Sequence, residues 1–175
     1  MTLLVADSVQ AERVYARTFS AVASVTLPIP TGARLALLDY EFVTSTFSAS
    51  VYLRPNGLST NVLTGLHSVD YSSPSTATHG ASLANRAGLP LSFNVGSSGA
   101  VGAMGRASVQ CRTTGVVRKA KASILYWNTV GSGNNAGGSY EIESDVAEAA
   151  ANPITSLVIV PDTGTITGTV QLQVL

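Results

Sequence analysis

The sequence predicts an all-β fold, an antiparallel β-sandwich, and three observations predict it. Apolar and polar residues alternate with period two in one segment after another. In the last segment Ile166, Val170, Leu172 and Val174 share one parity, and Thr167, Thr169, Gln171 and Gln173 share the other. Turn signals such as Thr31-Gly32, Pro55-Asn56-Gly57, Gly96-Ser97-Ser98-Gly99 and Pro161-Asp162-Thr163-Gly164 recur at the roughly 8- to 15-residue spacing of a sandwich or barrel. Helical periodicity is scarce, and no stretch alternates strand with helix as a parallel sheet requires.

The elements follow in order. Thr2 to Ala6 is apolar and reads as a first short strand or arm, within a possible N-terminal arm over 1–12. Asp7 to Ala11 is a candidate helical turn. From Arg13 the alternation is that of a strand; Val25, Leu27 and Ile29 carry it on until Pro28 and Pro30, which have no N–H to donate, end the ladder. Arg34 to Phe47 starts apolar on both faces, which suits a central strand or one covered on both sides. Ser48 to Arg54 reads as its partner, Leu58 to Leu66 as irregular, and His67 to Tyr71 as a short strand. Ser72 to Gly88 is rich in Ser, Thr, Ala and Gly and reads as a long exposed loop. Leu89 to Val95 is a strand. Met104 to Thr113 and Val116 to Val130 form a hairpin about Thr114-Gly115. Gly131 to Gly138 is a loop with little side-chain bulk, and Ser139 to Ser144 a further strand. Asp145 to Ala151 has the highest helix propensity, with Asp145 as N-cap and Glu148 as its N3 partner, so the fold holds at most one or two short helical turns. Ile154 to Leu175 closes the chain as two strands about a tight turn, built into the core.

The 175 residues fit one domain, 1–175. Only 11% are charged, against about a quarter in a typical domain, so Ser, Thr, Asn and Gln must solvate the surface. The 10 basic and 10 acidic residues cancel. A neutral chain has no general attraction for nucleic acid or an anionic membrane, so neither is expected as a partner, and it is poorly protected against self-association. The single cysteine, Cys111, allows no internal disulfide and alternates with Val109 as a small buried hydrophobe. The N-terminus lacks the basic start and long apolar core of a signal peptide, and no apolar run approaches the ~20 residues of a membrane span.

Motifs for chemistry are absent: no nucleophile elbow, phosphate loop or dinucleotide fingerprint occurs. On a strand, His67 and Asp70 fall on opposite faces and make no natural metal pair. Asp39 and Glu41 share a strand face, which a solvated outer face or a subunit contact explains as readily as acid–base work. Arg112, Arg118, Lys119 and Lys121 are the one basic concentration, but strand parity sets Arg118 opposite Lys119 and Lys121. That pattern suits a polar rim or an acidic partner surface better than a nucleic-acid patch. The expectation is a non-enzyme without catalytic residues, cofactor or metal. The candidate contact residues are His79 and Arg86 in the long loop, Asn134 and Asn135 in the glycine-rich loop, and Trp127 beside it.

Three stretches carry a resemblance. They are the early pair VYARTFSAVASVTLPIP and ARLALLDYEFV, the strand SILYWN followed by a Gly/Asn loop, and the ending ITSLVIVPDTGTITGTVQLQVL. With them the chain resembles the small jelly-roll or β-sandwich structural proteins of tailed bacteriophages over most of its length. The resemblance implies a jelly-roll-like fold and a non-enzymatic virion subunit made in the host cytoplasm. Its partners would be copies of itself, as in trimeric cement proteins, and the major capsid protein or other virion subunits. A capsid decoration protein is the first expectation. A tail, baseplate or fibre subunit, or a carbohydrate- or receptor-binding module, is the alternative.

Overall fold

The computed structural model describes residues 13–47, 49–58, 63–70, 78–80, 88–92, 100–112, 118–128, 137–146 and 152–175; at 47, 63–70, 78–80, 101, 128 and 137–146 it describes the backbone alone. Twelve strands run through these residues: β1 (Arg13–Val22), β2 (Val25–Pro28), β3 (Leu35–Phe47), β4 (Val51–Pro55), β5 (Leu63–Asp70), β6 (Thr78–Gly80), β7 (Leu89–Pro90), β8 (Ala100–Gln110), β9 (Arg118–Asn128), β10 (Gly137–Val146), β11 (Ser156–Pro161) and β12 (Ile166–Val174). No helix occurs among the described residues.

The strands form two antiparallel sheets. The large one has the order β1-β12-β3-β8-β9-β10-β5-β6 and the small one β2-β11-β4-β7. The pairings repeat between sheets: β1 with β12 and β2 with β11, β12 with β3 and β11 with β4, β3 with β8 and β4 with β7. Each pair of ladders is one antiparallel ribbon bent across a corner. A ribbon rolled up in this way is a jelly roll, here of eight strands. Strands β9, β10, β5 and β6 extend the large sheet beyond β8.

The core lies between the sheets. Leu38, Tyr40 and Phe42 of β3, Ala120, Ala122 and Ile124 of β9, and Ile166, Val170 and Leu172 of β12 face Leu27 of β2, Val51 and Leu53 of β4, and Leu157 and Ile159 of β11, all buried. The Tyr40 hydroxyl crosses the gap and donates to the Leu91 carbonyl at 3.1 Å. Its ring stacks on that of Phe42, with centroids 5.4 Å apart. Gly168 lies opposite Phe42, and a Cβ there would stand 2.1 Å from the Glu41 carbonyl oxygen, so only glycine lets β12 lie this close to β3.

The corners show how the ribbon changes sheets. In β1 the register slips between Phe19 and Val22, with Ala21 at φ 50° and its N–H bonded to Thr167 Oγ1 at 2.9 Å. This bulge turns the chain toward β2. Along the same corner Ser50 N–H donates to Asp162 Oδ1 at 3.1 Å and Asp162 N–H to Ser50 O at 2.9 Å, while Thr165 N–H donates to Ser45 Oγ at 2.9 Å. These bonds stitch the β3–β4 and β11–β12 connections together.

Several expectations are corrected. The last two strands do not form a hairpin: β11 lies in the small sheet and β12 in the large one. Likewise Ser48 to Arg54 does not partner β3, because β4 joins the other sheet. Asp145 is not a helix cap but lies in β10 opposite Lys119. Leu63 to Leu66, read as irregular, begins β5, and Gly137 and Gly138, read as loop, begin β10. The regular strand at Leu89 ends at Pro90. The long loop is interrupted by β6 and its last residue, Gly88, is buried. The arm over 1–12, and with it the turn at Asp7 to Ala11, lies outside the described residues.

Candidate interaction face of the large sheet

The register fixes which residues share the outer face of the large sheet. One row across it reads Thr18, Thr169, Glu41, Met104, Leu125; the next reads Ala16, Gln171, Asp39, Arg106, Ser123. On the far side of the first row, Thr167, Val43, Gly102 and Trp127 stand in line. Val43, Met104 and Leu125 are exposed although large and apolar, Leu125 at 54%. Trp127 is half-buried because its indole lies across Gly102, where a Cβ would stand 2.3 Å from the ring. These four side chains form one apolar patch at the middle of the sheet.

Polar groups rim the patch. Arg106 Nε donates to Asp39 Oδ1 at 2.7 Å in an exposed ion pair, and that carboxylate holds the guanidinium pKa above its ordinary value through the hydrogen bond and its charge. Thr18, Glu41, Thr169 and Gln171 line a shallow groove of about 620 Å³ together with Met104 and Leu125. Lys119 and Lys121 are exposed on the same face further along β9. The arrangement can bury apolar surface and exchange polar contacts. The described residues place no three His, Cys, Asp or Glu together as metal ligands.

Of the candidate contact residues, Trp127 is on this face. His79 is in β6, opposite Val69 on β5, rather than in a loop. Arg86, Asn134 and Asn135 lie outside the described residues. Asp39 and Glu41 do share the outer face, but Asp39 is engaged by Arg106. The basic concentration is split as strand parity anticipates. Lys119 and Lys121 point out, whereas Arg118 is only 2% exposed. Its Nε donates to the Arg112 carbonyl at 3.1 Å and its Nη2 to the Asn152 carbonyl, tying β9 to the segment that leads into β11.

Cys111 is buried, as its alternation suggests. Burial pushes the thiol up to about 11, while a backbone hydrogen bond from Ala36 and the charge of Arg118 pull the other way. Of the tyrosines, Tyr40, Tyr52 and Tyr126 are buried. Val43, Met104 and Leu125 were not singled out by sequence. The signal available was Leu125 at an outward position of an otherwise polar run, Lys119, Lys121 and Ser123. No family model, no curated protein and no solved structure matches the chain.

Proposed function

We propose that this chain is a non-enzymatic structural subunit of a bacteriophage virion, a decoration protein of the capsid that works by self-association and by contact with neighbouring subunits. The observation that carries the reading is the exposed apolar patch of Val43, Met104 and Leu125 on the widest face of a jelly roll. Jelly rolls are the architecture of many viral capsid domains, though also of lectins and cupins, so the fold supports the reading by analogy. The patch adds a physical reason: large apolar groups held in water on a rigid sheet lose that exposure on assembly, and because Leu125 is 54% and Met104 38% exposed, covering each yields about half of the 1.5–3 kcal/mol of a fully exposed side chain. The mechanism is additive burial between subunits, with polar pairs at the rim setting orientation.

Mass spectrometry of gradient-purified virions from the source of the chain tests this. The expected result is recovery of its peptides at many copies per particle, in the head fraction after heads and tails are separated. Recovery in tails would move it to a tail or baseplate role. Absence from particles, with abundance in the infected cell, would overturn the reading.

A further inference from the structure

At one end of the sandwich, away from the sheet face, a small pocket of about 210 Å³ opens between the 30–34 turn, Cys111-Arg112 and the 153–155 segment. Two arginines line it, Arg34 and Arg112, both exposed. The backbone holds them together: Cys111 N–H donates to the Arg34 carbonyl at 2.9 Å, so Arg112 directly follows the residue bonded to Arg34. Among the described residues neither guanidinium makes an ion pair; the Asp39–Arg106 pair belongs to the sheet face. A third arginine lies beneath them and braces the wall. Arg118 is buried, its Nε bonds the carbonyl of Arg112 itself, and its charge is felt at Cys111, another wall of the pocket.

Two exposed guanidinium groups gathered at one end of a chain with only 11% charged residues make a local concentration of positive charge that the neutral whole does not share. A guanidinium presents paired N–H donors that match the oxygens of a carboxylate or phosphate. The pocket has room for one such group.

We propose that this pocket binds an oxyanion, a carboxylate or phosphate group, between Arg34 and Arg112. The group can come from a free phosphate ion or from an acidic side chain of a neighbouring protein, and the test separates the two. The amide spectrum of the ¹⁵N-labelled chain is followed at constant ionic strength against inorganic phosphate in one arm and hexaglutamate in the other. Saturable shifts are expected at Gly32, Arg34, Cys111, Arg112 and Thr155. Saturation by phosphate alone identifies a free-ion site, and saturation by hexaglutamate identifies a docking site for acidic segments. Arg34→Gln is expected to weaken binding about tenfold, the loss of one charged hydrogen-bonding group. Arg34→Gln/Arg112→Gln should abolish it, while Arg17→Gln on β1 leaves it intact. No saturable shift with either probe, or shifts that survive the double substitution, would overturn the proposal.

Discussion

Asn56 closes the turn after β4 with φ 51°, and its side chain does the work of a small strand edge. Oδ1 accepts from Thr155 N–H at 2.8 Å, Ser156 N–H at 3.2 Å and Thr155 Oγ1 at 3.2 Å, while Nδ2 donates to the Pro153 carbonyl at 3.0 Å. Asn56→Ala removes these bonds and places a Cβ-only residue in the left-handed region. The expected cost is about 1–3 kcal/mol, read as a lower urea midpoint at unchanged slope, and Asn56→Asp should retain more than half because it keeps the acceptor. Cys111 gives a second prediction at this scale. Its thiol is raised from 9.0 to about 11 by burial, so between those values the native chain holds a proton that the unfolded chain releases. Stability tied to this group is therefore present below pH 9 and lost as pH rises toward 11. Tyr40, also raised by burial, acts in the same direction above pH 10. Urea midpoints at pH 8 and 10.5 should converge in part in Cys111→Ala; an equal alkaline loss in that variant would assign the effect elsewhere. The turn at Pro55-Asn56-Gly57 and the burial of Cys111 were legible in the sequence, one from turn chemistry and one from alternation. The role of the Asn56 amide was not, because its partners lie about a hundred positions away.

At the scale of elements, β12 is the strand on which the large sheet depends, lying between β1 and β3. The residue after it carries the ladder on: Leu175 N–H donates to Leu35 O at 2.9 Å, and Arg34 and Leu35 N–H both donate to Leu175 O. Removing Gly168 to Leu175 strips Val170, Leu172 and Val174 from the core and leaves β1 and β3 without a shared neighbour. The truncated chain is expected to lose its cooperative thermal transition and near-UV circular dichroism; a soluble, cooperatively melting product would contradict the placement of β12. The alternation of β12 was plain in sequence, yet its pairing was misread. Both a hairpin and a sandwich corner put Leu157, Ile159 and Leu172 on a buried face, so period-two patterning cannot separate them. The difference lies in Asp162, whose bond to Ser50 leads the chain across to the other sheet. Asp145 failed as a helix cap for a related reason, since local propensity over a short segment yields to a ten-residue ladder with β9.

At the scale of the molecule, sequence patterning reached the class of fold and stopped short of the site. Period-two alternation records that a face is buried, not which sheet it belongs to. The outer patch depends on three strands, β3, β8 and β9, brought side by side from positions as far apart in the chain as Val43 and Trp127. The apolar start of β3 on both faces was the nearest hint, and β3 is indeed central in the large sheet. The role given to the molecule is association through this face, and light scattering coupled to size-exclusion chromatography tests it most directly, comparing the native chain with Leu125→Glu. Leu125 is 54% exposed, so the substitution should leave the melting temperature of the folded chain within a few degrees. The account predicts a concentration-dependent oligomer for the native chain and a monomer for Leu125→Glu. A native chain that stays monomeric at the highest soluble concentration, or an oligomer that Leu125→Glu leaves unchanged, would contradict it.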